Sequence, residues 1–248
     1  MPDVAEGAPA PVAAFVTAVP KAGALVALAR FVLLLPADKV GWRPLVALLA
    51  AATMTLGNLA ALWQDDVRRL LGWSAVSQTG FGLMAVVALD RSNLAVPSLL
   101  YFLFAYVLGN VAAFGVVVTL RGRSRLDEYA GLATTHPMLA AALVVALLSF
   151  IGVPPLAGFV AKLALMGAAI DAGYAWLAVV AVVNTIVSIV YYVRVLSPVY
   201  FRERSGPMPV LGPVAGTATL ACAVAVVGAG FAAEPLLRSF ASAVLLPG

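Results

Sequence analysis

The chain has 248 residues, 63% of them hydrophobic and only 10% charged, against about 45–50% apolar and about 25% charged in soluble domains. With a mean hydropathy of +1.05 it cannot hide its apolar surface inside one globule, so its expected solvent is lipid. One cysteine (Cys222) and one histidine (His136) exclude an internal disulfide framework and leave too few ligands for a zinc, haem or iron–sulfur site. The net charge of +4 reflects scattered loop arginines and does not make a nucleic-acid-binding stripe.

Residues 1–7 carry two acids and no base, unlike a secretory leader, and read as a polar loop leading into the membrane. Seven apolar runs follow, at 10–36, 44–63, 70–89, 96–120, 138–169, 174–199 and 212–236. Each approaches or exceeds the length of about 20 residues that a transmembrane helix requires. They are too long for barrel strands and do not alternate, and lipid offers backbone groups no partners. The predicted fold class is all-α integral membrane, with seven transmembrane helices, one of them discontinuous.

The first run holds Lys21 near its middle, directly after Pro20. A charge at the bilayer centre costs about 2.5–3.5 kcal/mol on insertion scales. Snorkelling to the headgroups is a poor account of Lys21, because about ten residues separate it from either end of the run. In the third run Ser74 and Gln78 are four apart and share a helix face. Asn110 is mid-span in the fourth. Such amides and hydroxyls either tie helices together, at about 0.6 kcal/mol each, or hold water; Ser74 and Gln78 are the best candidates for a water path.

The fifth run is about 32 residues long, or roughly 48 Å as a helix, against a hydrocarbon core of about 30 Å. Its middle contains Gly152, Pro154, Pro155 and Gly158. Two adjacent prolines remove two donors and the flanking glycines permit unwinding, which predicts a broken helix, with an ordinary proline kink as the alternative. Lys162 follows on the second half, where snorkelling is strained. Two of the three lysines in the chain thus lie inside apolar runs. Lysine, unlike arginine, can exchange its proton at accessible pH once removed from water, so both are candidate proton carriers. Asn184 and Ser188 share a face of the sixth run. Arg30 and Arg194 stand near span ends, where snorkelling or structural pairing is expected, and Asp171 and Glu234 read as interfacial.

Orientation follows from loop arginines and lysines. Arg68, Arg69, Arg121, Arg123, Arg125, Arg202 and Arg204 fall on one side, and Lys39, Arg43, Arg91 and Arg238 on the other. This places the N-terminus in the cytoplasm and the C-terminus outside.

Several stretches resemble the antiporter-like subunits of respiratory complex I. Pro2-Asp3-Val4-Ala5-Glu6-Gly7-Ala8-Pro9, followed by Lys21, is similar to the lead-in and eighth helix of that family, in the form seen in subunit N. Gln64-Asp65-Asp66-Val67-Arg68-Arg69-Leu70-Leu71-Gly72-Trp73-Ser74 resembles the approach to the tenth helix, and Tyr129-Ala130-Gly131-Leu132 with Pro137 the loop before the twelfth. Leu148-Ser149-Phe150-Ile151-Gly152-Val153-Pro154-Pro155-Leu156-Ala157-Gly158-Phe159 with Lys162 resembles the broken twelfth helix and its lysine, and Tyr191-Tyr192-Val193-Arg194 fits the thirteenth.

The resemblance implies the C-terminal half of a fourteen-helix proton-translocating subunit. Lys21 would connect two half-channels and Lys162 would lead outward. Residues 1–40 would form a lead-in and first helix, 41–205 a five-helix half-channel unit, and 206–248 a C-terminal helix and tail. The chain would be a non-redox membrane subunit without a catalytic centre, metal or cofactor of its own. NADH, FMN, iron–sulfur clusters and quinone would belong to partner subunits, and its other partners would be lipid, protons and water. A subunit of a multisubunit Na⁺/H⁺ antiporter, or a structural membrane module without an ion path, are the alternatives. The family's first seven helices have no counterpart before Met1, so a truncated or split product is expected. Gln78 stands where relatives often carry histidine, which limits that position to a relay through water.

Overall fold

The computed structural model describes residues 1–35, 41–203, 213–243 and 245. Among these every regular element is helical. The first departure from expectation is at the start: residues 2–7 form a short helix, α1 (Pro2–Gly7), and not an open loop. Proline at the first helical position costs no hydrogen bond, because that N–H has no intrahelical partner anyway. The helix is held down by the arginines that follow it in space. Arg69 pairs with Asp3 and Glu6, both at 3.0 Å, and Arg68 donates to the carbonyls of Ala5 and Ala8.

Among the described residues six helices are long and apolar enough to cross a membrane. Five are continuous and precede residue 204: α2 (Ala10–Leu33), α3 (Trp42–Leu62), α4 (Val67–Ala88), α5 (Ala95–Thr119) and, later in the chain, α9 (Ala175–Phe201). Between α5 and α9 lie a 3-10 turn (Leu126–Tyr129), the short α6 (Leu132–Thr135), and the broken pair α7 (Pro137–Ile151) and α8 (Ala157–Asp171). The sixth continuous span, α10 (Pro213–Phe231), is followed by α11 (Ala233–Ala241). The run read as one helix over 212–236 therefore ends early. Pro235 explains this: a proline ring clashes with the carbonyl four residues back, here Phe231, and proline is tolerated in the first turn of the helix that restarts. Lys39 and Arg204 lie outside the described residues. Arg43, read as a loop charge, is instead buried in the first turn of α3, donating to Leu89 O at 3.1 Å.

The packing is that of a bundle in lipid. Large apolar side chains face outward, among them Phe15 and Phe31 on α2, Leu48 and Leu56 on α3, and Val183 and Ile186 on α9. Apolar residues gain nothing by leaving hydrocarbon, so helices in membranes associate through close contact of small residues and through polar pairs. Both devices are present. α4 is the central helix, and Gly57 of α3 and Gly80 of α4 let these two backbones touch: a Cβ on Gly57 would stand 2.5 Å from Ser77 N. The polar device ties α3 to α9, where Asn58 Nδ2 donates to the Asn184 backbone and side-chain oxygens at 2.8 and 3.0 Å and Tyr191 donates its hydroxyl to Asn58 Oδ1 at 2.9 Å. Asn58→Ala removes all three bonds. It is expected to lower thermal stability in detergent by about 1–2 kcal/mol, since interhelical bonds average about 0.6 kcal/mol each in membranes. An unchanged melting curve would show that these bonds contribute nothing.

Candidate functional site

The site is built from the middle of α2, one face of α4 and α5, and the break between α7 and α8. On α2 the buried residues Ala13, Thr17, Lys21, Leu25 and Ala29 repeat every four positions, so Lys21 belongs to the stripe that packs into the bundle. It lies eleven residues from Ala10 and twelve from Leu33, at the midplane. Its ammonium donates to the Ala75 carbonyl of α4 at 3.0 Å and stands 3.3 Å above the Tyr106 ring of α5. The head is therefore turned inward and does not reach for the headgroups.

The break follows from sequence. Gly152 takes φ +92° and ends α7 in the left-handed conformation, which glycine adopts without steric cost. Prolines 154 and 155, joined by a cis peptide bond, cannot donate, and Leu156 caps a new helix. A helix that ends inside the membrane exposes carbonyls with a partial negative charge. Two side chains meet them. Lys162 reaches back across the break to Ile151 O at 3.1 Å, and Gln78 Nε2 donates to Phe150 O at 3.1 Å. Ser149 Oγ accepts from Gly158 N at 3.1 Å and closes the gap from the other side. The Lys162 ammonium also contacts Thr185 Oγ1 at 3.4 Å and stands 4.2 Å from the Phe81 ring centroid. The predicted broken helix is thus present and the simple kink is not.

Neither lysine has a carboxylate within ion-pairing distance among the described residues; every ion pair there is made by an arginine. A carbonyl and a ring face are what each ammonium has, with the Thr185 hydroxyl in addition at Lys162.

Beside Lys162 lies a cavity of about 10 Å³ lined also by Gln78, Phe102, Tyr106, Ser149 and Phe150, with small residues completing its wall. Its size matches the space of about 10–15 Å³ needed for one water. The Tyr106 ring thus carries Lys21 on one side and borders the Lys162 cavity on the other. The Tyr106 hydroxyl is tied to Thr17 O at 3.1 Å and Asn110 Oδ1 at 3.3 Å.

Of the residues read from sequence, Lys162, Gln78 and Gly158 line this cavity, while Lys21 stands outside its lining and meets it only through the Tyr106 ring. Ser74, one turn along α4 from Gln78, shares a 2.5 Å hydrogen bond with the Tyr192 hydroxyl on α9. Asn110 faces the other way: its amide bonds Ala14 O at 3.0 Å and Thr17 Oγ1 at 3.1 Å, joining α5 to α2 one turn from Lys21. Ser188 turns its hydroxyl back to Thr185 O at 2.6 Å. Arg194 is structurally paired, with Asp65 at 2.8 Å and the Leu62 carbonyl, and Arg30 with Leu245 O at 2.6 Å. Sequence reading missed Tyr106, Ser149 and Thr185, which touch the lysines or their cavity. It also missed Asn58, although a mid-span amide is a signal of the same kind as Asn110.

A multi-pass helical bundle organised around a discontinuous helix, with unpaired lysines at its midplane, defines an antiporter-type membrane module. The chain belongs to the NADH:quinone oxidoreductase/Mrp antiporter transmembrane family, whose model matches residues 1–188. Within it the likeness is to subunit N. The NADH-quinone oxidoreductase subunit N of Mycobacterium sp. (strain JLS) is 54% identical over 204 residues, 82% of this chain and 43% of that protein. A chain of respiratory complex I from Thermus thermophilus (with bound aureothin) superposes with a TM-score of 0.82 at 32% identity, covering 96% of this chain and 53% of its own length. The Mrp complex of Dietzia sp. DQ12-45-1b shares the fold, with a TM-score of 0.72 at 24% identity over 81% of this chain and 46% of that one. The chain spans about half the length of the relatives it matches.

Proposed function

We propose that this chain translocates protons as a membrane subunit of an NADH:quinone oxidoreductase, with Lys21 and Lys162 as the groups that take up and release the proton. The observation that carries the reading is the water-sized cavity at Lys162, separated from Lys21 by one aromatic ring. Two amines without a carboxylate partner, joined by one ring and a cavity that fits one water, form a relay whose direction a neighbouring charge can set. Gln78 and Ser149 would orient a water bound there, and Ser74 and Asn110 hold the helices that frame it. Redox chemistry in partner subunits that hold NADH, FMN, iron–sulfur clusters and quinone would supply the charge change, and other membrane subunits would pass it on. Each proton moved outward across the bacterial plasma membrane works against about 2.3 kcal/mol per 100 mV. The arginine-rich loops, with the N-terminus, would face the cytoplasm.

The test is proton uptake by proteoliposomes carrying the assembled complex. Uptake driven by NADH oxidation and indifferent to a sodium gradient supports the reading; uptake that follows sodium and ignores NADH assigns the chain to an Mrp-type antiporter. A finer expectation concerns Tyr106. A desolvated cation–π contact is worth about 0.5–2 kcal/mol, so Tyr106→Leu, which removes it from Lys21, is expected to lower the number of protons moved per NADH oxidised. Tyr106→Phe keeps the ring and should stay near the wild-type ratio. Equal ratios for both variants would mean that the ring face plays no part.

A further inference from the structure

At the end of the bundle where α3 and α9 finish, a cleft of about 400 Å³ is lined by Asp65, Arg125, Asp127, Arg194, Ser197 and Arg202. Asp65 pairs with Arg194 at 2.8 Å and Asp127 with Arg125 at 3.2 Å. Arg202 has no counter-ion among the described residues, so within the cleft's lining three guanidinium groups face two carboxylates, with Glu128 and Glu203 outside that lining. Its depth is set by α9. At 27 residues this helix is about 40 Å long, about 10 Å more than the hydrocarbon core, enough for its last turns to reach the headgroup level. Exposed Trp63, Tyr200 and Phe201 lie at the same end, and aromatic side chains gather at that level.

A second cavity continues along the same two helices toward the membrane interior. It is an apolar groove of about 390 Å³ between α3 and α9, lined by Thr55, Leu59, Val179, Val183 and Val187. Positions 183, 187, 194 and 198 fall on one face of α9, at spacings of four and seven, so the groove and the arginine cleft lie in line. About 10 Å of helix separates Val187 from Arg194.

From this alignment we infer that the α3–α9 face binds one anionic phospholipid, its phosphate at Arg125, Arg194 and Arg202 and one acyl chain in the valine-lined groove. Guanidinium forks match phosphate oxygens in pairs, and the Ser197 hydroxyl adds a donor. A free phosphate would satisfy the arginines but leave the groove without an occupant. A zwitterionic lipid would fill the groove but bring its own cation to a positive cleft. The inference does not depend on the lysines carrying protons.

The test uses the tagged protein in bacterial membranes, with the subunits that co-purify, and phospholipid probes carrying a photoreactive acyl chain. Phosphatidylglycerol is expected to label peptides of α3 and α9, phosphatidylcholine to label them weakly, and millimolar inorganic phosphate not to compete. Arg202→Gln, at an exposed residue without a partner, should lower phosphatidylglycerol labelling about fivefold, the effect of one arginine on an anionic headgroup, and Arg125→Gln should lower it again by a similar factor. Equal labelling by the two lipids, competition by phosphate, labelling unchanged in both variants, or no label on α3 and α9 because a partner subunit covers them would each overturn the assignment.

Discussion

Lys162→Met is expected to abolish proton translocation while the chain still inserts and assembles. Methionine follows the path of the lysine stem and removes the ammonium. What is lost structurally is one bond to Ile151 O and a long contact to Thr185, including the favourable placement of a cation at a helix C-terminus, about 0.3–1 kcal/mol and up to about 2 kcal/mol when partly buried. What is gained is relief from holding a charge in the membrane interior, about 2.5–3.5 kcal/mol on insertion scales. The gain is larger than the loss, so stability should not fall and the loss should appear in activity alone. NADH-driven proton uptake, NADH oxidation and the amount of assembled complex are the three quantities to compare. Full pumping by Lys162→Met would sink the proposed role. Lys162→Arg separates charge from proton exchange: arginine keeps the cation and the reach, yet stays protonated under accessible conditions. If Lys162 serves only as the cap of α7, Arg restores function; if it exchanges a proton, Arg fails like Met.

That choice between cap and carrier marks where sequence reading ran out. The broken helix was legible because its cause is local: two prolines that cannot donate and glycines that relax the backbone around them. The burial of Lys21 was legible because about ten residues of its run on either side fix its depth in lipid, whereas Lys162, nine residues before Asp171, left snorkelling open until its contact with Ile151 O was in view. Tyr106 was not legible. A tyrosine in the middle of an apolar span is ordinary by composition. Its place between Lys21 and the cavity depends on how α2 and α5 are rotated against each other, which Asn110 and Thr17 settle through bonds 93 residues apart. The same holds for α1, whose six residues are too few to form a stable helix alone and which depends on Arg68 and Arg69 from another element. The end of α10 differs, because its cause is local: the ring of Pro235 clashes four residues back and stops the helix at Phe231.

Gly158→Ala should have the largest effect on folding, and the argument is steric. Gly158 opens α8 directly beneath the last turn of α7, and a Cβ there would overlap the Ser149 backbone carbonyl. A flexible side chain could move aside; a carbonyl inside a helix cannot without shifting α7. Overpacking a well-fitted site costs about 1–3 kcal/mol, occasionally more, and here it also breaks the Gly158 N to Ser149 Oγ bond. Less protein should accumulate in the membrane, and what accumulates should melt earlier. Gly23→Ala is the matched control, since a Cβ at Gly23 meets nothing within 4 Å and alanine is favoured over glycine within a helix by about 0.8–1.0 kcal/mol. If Gly158→Ala accumulates and melts like Gly23→Ala, the two half-helices do not meet as closely as described. If it is destabilised and the surviving fraction also pumps poorly, the contact that closes the break is also the one that holds Lys162 under the end of α7, and packing and proton transfer depend on the same few ångströms of backbone.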